Sequence, residues 1–133
     1  MTVGQVHVLL AVHDTAHSAS VAQVLMHAGA AVSMVQVRSA EHLLEHLEEH
    51  APSLLVLELD REWGALEQLR TRYPHLPVVV VLAKPTEELA FAISRLGAED
   101  VWTLPIDEAS MAARAEAVLH RLRSAHESAR ATF

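Results

Sequence analysis

The chain has no cysteine and a single lysine, Lys84, in 133 residues. Without cysteine there is no disulfide framework and no thiolate metal site, which accords with a reducing compartment. One lysine, scattered arginines and a net charge of -7 argue against a nucleic-acid partner, because binding to a phosphate backbone rests on clustered cations. Aromatic residues make up 4% of the chain, too few for the stacking platforms of single-strand binders. No apolar run approaches the ~20 residues of a membrane span. Residues 1–12 also lack the basic start and small-residue cleavage site of a signal peptide, so the expectation is a cytoplasmic protein that does not touch membrane. Gly4, Gly29, Gly64 and Gly97 are too dispersed for a phosphate-cradling loop or a dinucleotide fingerprint.

What the chain does have is aliphatic residues in short, dense runs. Hydrophobic residues make up 51% of it, and its length suits one domain, expected to occupy 1–133 with a core over 6–126 and a helical tail over 127–133. The most informative stretch is Pro52-Ser53-Leu54-Leu55-Val56-Leu57-Glu58-Leu59-Asp60. An uninterrupted apolar run opened by proline reads as a strand covered on both faces, the habit of parallel sheets. Chemistry in such sheets gathers beyond the carboxyl ends of the strands, where Glu58 and Asp60 emerge.

The other elements follow in order. Val6–Val12 reads as a first strand ending at His13 and Asp14, followed by a helix carrying Val21, Val24, Leu25 and Ala28 and stopping at Gly29. Ala31–Val37 is a second strand. Ser39 caps a helix with Leu43, Leu44 and Leu47 inside and Glu41, Glu45, Glu48 and Glu49 in water. After Asp60 come a third helix through Leu66, Leu69 and Tyr73 and a fourth strand over Leu76–Leu82. A fourth helix over Glu87–Leu96 ends at Gly97, and Asp100–Leu104 forms a short fifth strand before Pro105. The last helix starts at Asp107 and repeats Met111, Ala115, Val118, Leu119 and Leu122. Five strands alternating with five helices predict an α/β doubly wound parallel sheet of flavodoxin-like type, with order 2-1-3-4-5 and helices on both faces. That order sets His13, Asp14 and Glu58 side by side.

Taken together, the strand ends resemble the response-regulator receiver domain (CheY-like superfamily) of bacterial two-component signalling, from Val6 to about His126. Leu10-Ala11-Val12-His13-Asp14 is similar to the family's first strand with its acidic pair. Pro52 to Glu58 falls where the family has Pro-Asp-Leu-Val-Leu-Leu-Asp, the last residue being the phosphoacceptor. Pro77 to Ala83 looks like the strand that ends in Thr or Ser then Ala. Gly97-Ala98-Glu99-Asp100-Val101-Trp102-Thr103-Leu104-Pro105 resembles Gly-Ala-Asp-Asp-Tyr-Leu-Thr-Lys-Pro, the most specific piece. From that resemblance the Leu104–Pro105 peptide bond is expected to be cis.

The departures fall on the residues that the family uses for chemistry. Against its pattern, Glu58 stands for the nucleophilic aspartate, His13 for one magnesium-binding acid, Leu82 for the switch hydroxyl, Val101 for the switch aromatic and Leu104 for the phosphate-binding lysine. Asp14 and Pro105 keep their family identities. Phosphoryl transfer is positioning plus charge stabilisation, and a side chain longer by one methylene displaces the attacking oxygen by more than ~1 Å. Leu104 withdraws the fixed cation, and imidazole suits the hard magnesium ion poorly. The resemblance therefore implies a degenerate pseudo-receiver that is not an enzyme, binds no cofactor and takes up no magnesium. It would act through contacts with signalling proteins or an output domain.

Two alternatives stay open: regulation by phosphoryl or metal binding at the Asp14/Glu58 cleft, and a small-ligand-binding module. His13, Asp14, Glu58 and Asp60 form a mixed set of a kind suited to zinc, manganese or nickel, set against an empty polar cleft. Glu58 reads as a solvated acid in preference to a built-in mimic of the phosphorylated state, because the hydroxyl and aromatic that would read the mimic are absent. Lys84 could pair with it or face solvent. His42-Leu43-Leu44-Glu45-His46 and the overlapping His46–His50 match an inverted zinc-peptidase motif, but on an acidic, His-rich helix with no cleft the match is fortuitous. The family's usual contact face is the fourth helix, fifth strand and fifth helix. There Val101, Trp102, Pro105, Val118, Leu119 and Leu122 are expected to form a homodimer surface.

Overall fold

A computed structural model describes residues 5–12, 18–59, 64–83 and 86–131. His13, Asp14, Asp60 and Lys84 lie outside them. The elements are β1 (His7–Val12), α1 (Ser18–His27), β2 (Ala31–Gln36), α2 (Ala40–Glu49), β3 (Leu54–Leu59), α3 (Gly64–Arg72), β4 (Val78–Leu82), α4 (Glu87–Arg95), β5 (Asp100–Thr103) and α5 (Glu108–Ala131). The strands form one parallel sheet in the order β2-β1-β3-β4-β5. The expected architecture and order are both present.

Alternation along each strand divides the core into two layers. Val8, Leu10, Leu54, Val56, Val79, Val81 and Trp102 face α1 and α5, where they meet Val21, Leu25, Met111, Ala115, Val118 and Leu119. Leu9, Leu55, Leu57, Val78, Val80 and Leu82 face the opposite layer, with Leu43, Leu47, Leu66, Leu69, Leu89 and Ile93. The strands are apolar throughout because both of their faces are covered.

The helix ends are set by local chemistry. Ser39 caps α2 by accepting from the His42 N–H at 3.1 Å, and Thr86 caps α4 by accepting from Leu89 N–H at 3.0 Å. Asp107 accepts from Ser110 N–H at 2.8 Å, and that bond holds its carboxyl below the usual range. The chain leaves α1 and α4 through Gly29 (φ 95°) and Gly97 (φ 82°), a backbone that β-carbon-bearing residues rarely adopt.

Arg70, near the end of α3, ties three segments together. Its guanidinium donates to Leu96 O at 2.9 Å and Gly97 O at 3.1 Å at the end of α4, and to Leu76 O at 2.7 Å in the loop entering β4. These are carbonyls that helix and strand ladders leave unused. Partial burial lowers the pKa of Arg70, with the charge of Glu99 opposing the shift. We expect Arg70→Ala to lower the unfolding free energy by about 2 kcal/mol in urea titration. Arg70→Lys should recover only part of the loss, since an ammonium cannot span the same carbonyls. A lysine variant as stable as the wild type would refute the clip.

Candidate functional site

The carboxyl ends of β3, β4 and β5 bring Glu58, Leu82 and Leu104 close together. In the sheet register Glu58 lies beside Val81 and Leu59 beside Leu82, and Leu104 N–H donates to Leu82 O at 2.8 Å. The Leu104–Pro105 peptide bond is cis, as expected from the resemblance.

The side chains do not share one cavity. Glu58 is half-buried between Leu57 and Leu59, both of which belong to the layer of α2, α3 and α4, so alternation directs Glu58 to the α1/α5 side. Leu104, 9% exposed, packs on that same side with Trp102 and Met111. Leu82 is fully buried in the opposite layer with Leu59, Leu66 and Leu89. Its expected place in the pocket beside Glu58 is thus corrected: it is a core residue of the other face. A uniformly apolar run hides this, because alternation within it leaves no polar mark in the sequence.

No group of three or more histidine or acidic side chains that could hold a metal ion exists among the described residues. On the side of the sheet that Glu58 faces, the described residues contribute its carboxylate and Leu104, which is not a donor set for magnesium. At the C-terminal end of α2, His46 and the capping residue His50 stack with ring centroids 4.8 Å apart.

The expected homodimer surface needs a second correction. Val118 and Leu119 are buried in the domain's own α1/α5 core, and the half-buried Leu122 packs against it. They are spent on intramolecular packing. Trp102 is fully buried, with its Nε1–H donating to Asp100 Oδ2 at 2.9 Å, while half-buried Val101 packs toward the α4 layer. Of the six residues, Pro105 alone is exposed. Sequence reasoning missed the network behind this: Asp100 Oδ1 accepts from Val101 N–H at 2.9 Å and Arg114 Nη1 at 3.0 Å, and Arg114 also donates to Val101 O at 3.1 Å. The spacing of an acid two residues before a core tryptophan was its one sequence signal.

The fold is that of response-regulator receiver domains. NtrX from Brucella abortus superposes with a TM-score of 0.76 at 22% identity, over 95% of this chain and 29% of that one. The receiver domain of the putative LuxO repressor protein from Vibrio parahaemolyticus gives 0.78 at 19% identity, over 93% and 97%. A CheY-like receiver domain protein from Methanospirillum hungatei gives 0.74 at 18% identity, over 90% and 98%. This chain therefore spans less than a third of the NtrX chain and nearly all of the two isolated receivers. No protein-family model matches the sequence, and neither does any curated protein.

If Leu104 is a core residue, restoring a cation there should be costly. Leu104→Lys is expected to lose about 2 kcal/mol of stability, measured by chemical denaturation. Stability equal to that of the wild type would show instead that the cleft beside Glu58 still accommodates a cation.

Proposed function

We propose that this chain is a phosphorylation-independent receiver domain of bacterial two-component signalling, cytoplasmic and non-catalytic, which acts by contact with other proteins. The observation that carries the reading is the burial of two leucines. Leu104 and Leu82 occupy the positions equated with the phosphate-binding lysine and the switch hydroxyl, and each is absorbed into a different core layer. A buried leucine offers a phosphoryl group neither charge nor hydrogen bond, and such groups supply nearly all of the catalysis in phosphoryl transfer. Glu58, one methylene longer than aspartate, misplaces the nucleophile as well.

Partners follow from the scaffold. In NtrX the same fold is part of a much longer chain, so the partner class is a signalling protein or an output domain, with no cofactor and no nucleic acid contacted directly.

Incubation with acetyl phosphate and magnesium tests the reading by intact mass. The expected result is no covalent phosphoryl group. A stoichiometric gain on Glu58 or Asp60 would overturn it in favour of a receiver that is still regulated through the cleft.

A further inference from the structure

The two edges of the sheet are treated differently. At the β5 edge, the Val101 N–H is taken by Asp100 and the Val101 carbonyl by Arg114, while Arg121 donates to Glu99 O at 3.4 Å. Side chains close that edge. Natural sheets usually blunt an edge with charge, proline, a bulge or a cover, because open N–H and C=O groups template the addition of another strand.

Among the described residues, the β2 edge shows none of these devices. Ala31-Val32-Ser33-Met34-Val35-Gln36 carries no charge and no proline, and it pairs with β1 residue for residue without a bulge. Of the five strands it alone contains no fully buried residue. Ala31 N–H donates to Val6 O and Val37 N–H to Val12 O, each at 2.9 Å, which fixes the parity: odd-numbered residues bond to β1. The N–H and C=O of Val32 and Met34 therefore point away from the sheet. Met34 is 46% exposed and Met26, on the adjacent α1, 52%. They are two of the three exposed large hydrophobics among the described residues.

We propose that β2 is a self-association edge, and that a second copy of this chain pairs with it antiparallel to make one continuous sheet. The strand is complementary to itself. A two-fold axis beside Ser33 sets Val32 of one copy opposite Met34 of the other, so that each pair exchanges both backbone bonds and the symmetric pair repeats them. The same pairing places valine against methionine on the α1 side of the joined sheet, with no like charges brought together within the strand, an arrangement that favours cross-strand association. With one strand from each copy in contact, we expect a dissociation constant on the order of micromolar.

Met34→Lys and Met34→Pro test this in the whole chain. The Met34 N–H points away from β1, so proline there spares the internal ladder, and lysine blunts the edge by charge. Sedimentation equilibrium over a concentration series should show a wild-type dimer and at least tenfold weaker association in both variants. Amide exchange supplies a readout independent of whether the variants fold: in the wild type, protection of the Val32 and Met34 amides should rise with protein concentration. A wild type that stays monomeric to about 100 µM, a dimer that both variants leave unchanged, or amides whose protection does not follow concentration would each overturn the proposal. A monomer whose Val32 and Met34 amides are protected only by an added extended peptide would assign the edge to a heterologous partner and overturn it too.

Discussion

The constraint on which this structure depends is that its central strands have no solvent face. β1, β3 and β4 lie between two layers of helices, so nearly every side chain along them is buried on one side or the other. Burying a leucine or valine contributes about 1.5–3 kcal/mol, whereas a buried polar group without a partner costs a comparable amount. Polar chemistry is thereby driven off the strands and onto their ends. Glu58 is the one non-apolar residue within β3, and it stands next to the last position of the strand.

That same constraint decided what could be read in advance. Runs such as Leu54–Leu57 and Val78–Leu82 announce two-sided burial without any structural knowledge, and Gly29, Ser39 and Gly97 mark helix ends by local chemistry that tertiary packing does not override. The sidedness of the runs was not legible. In a half-exposed strand, polar residues mark alternate positions, but in β4 both phases are valine or leucine, so the assignment of Leu82 to the face opposite Glu58 carries no sequence mark. Helix α5 failed in a related way. Its periodic Met111, Ala115, Val118 and Leu119 correctly predict one apolar face, but periodicity cannot say whether a face is used by the domain's own α1 or by another molecule. Arg70 left no local trace at all, because its partners lie in a loop and at the end of another helix.

The character of the cleft also follows from packing. Two of the positions where the receiver resemblance calls for a polar group, Leu82 and Leu104, are held by aliphatic side chains that simply extend a core layer. Leu104 continues the row of Trp102, and Leu82 continues the row of Val78 and Val80. A functional site usually carries local inconsistency, with buried polar groups tolerated for what they do. Among the described residues here, no buried side-chain polar atom lacks a partner.

The consequences reach the outer strands. At β5, Asp100 joins interior and edge: one carboxylate oxygen accepts from the indole of Trp102, while the other accepts from Val101 N–H and Arg114. Opening that edge to a partner strand would take Arg114 from Val101 O and disturb the carboxylate that satisfies a buried tryptophan, so the edge is closed by the same bonds that hold the core. Nothing comparable is at stake at β2. Its outward N–H and C=O groups at Val32 and Met34 engage no described residue, and its side chains contribute only partly to the core. Pairing at Val32 and Met34 leaves the bonds from β2 to β1 in place, which makes β2 the edge where association costs the fold least.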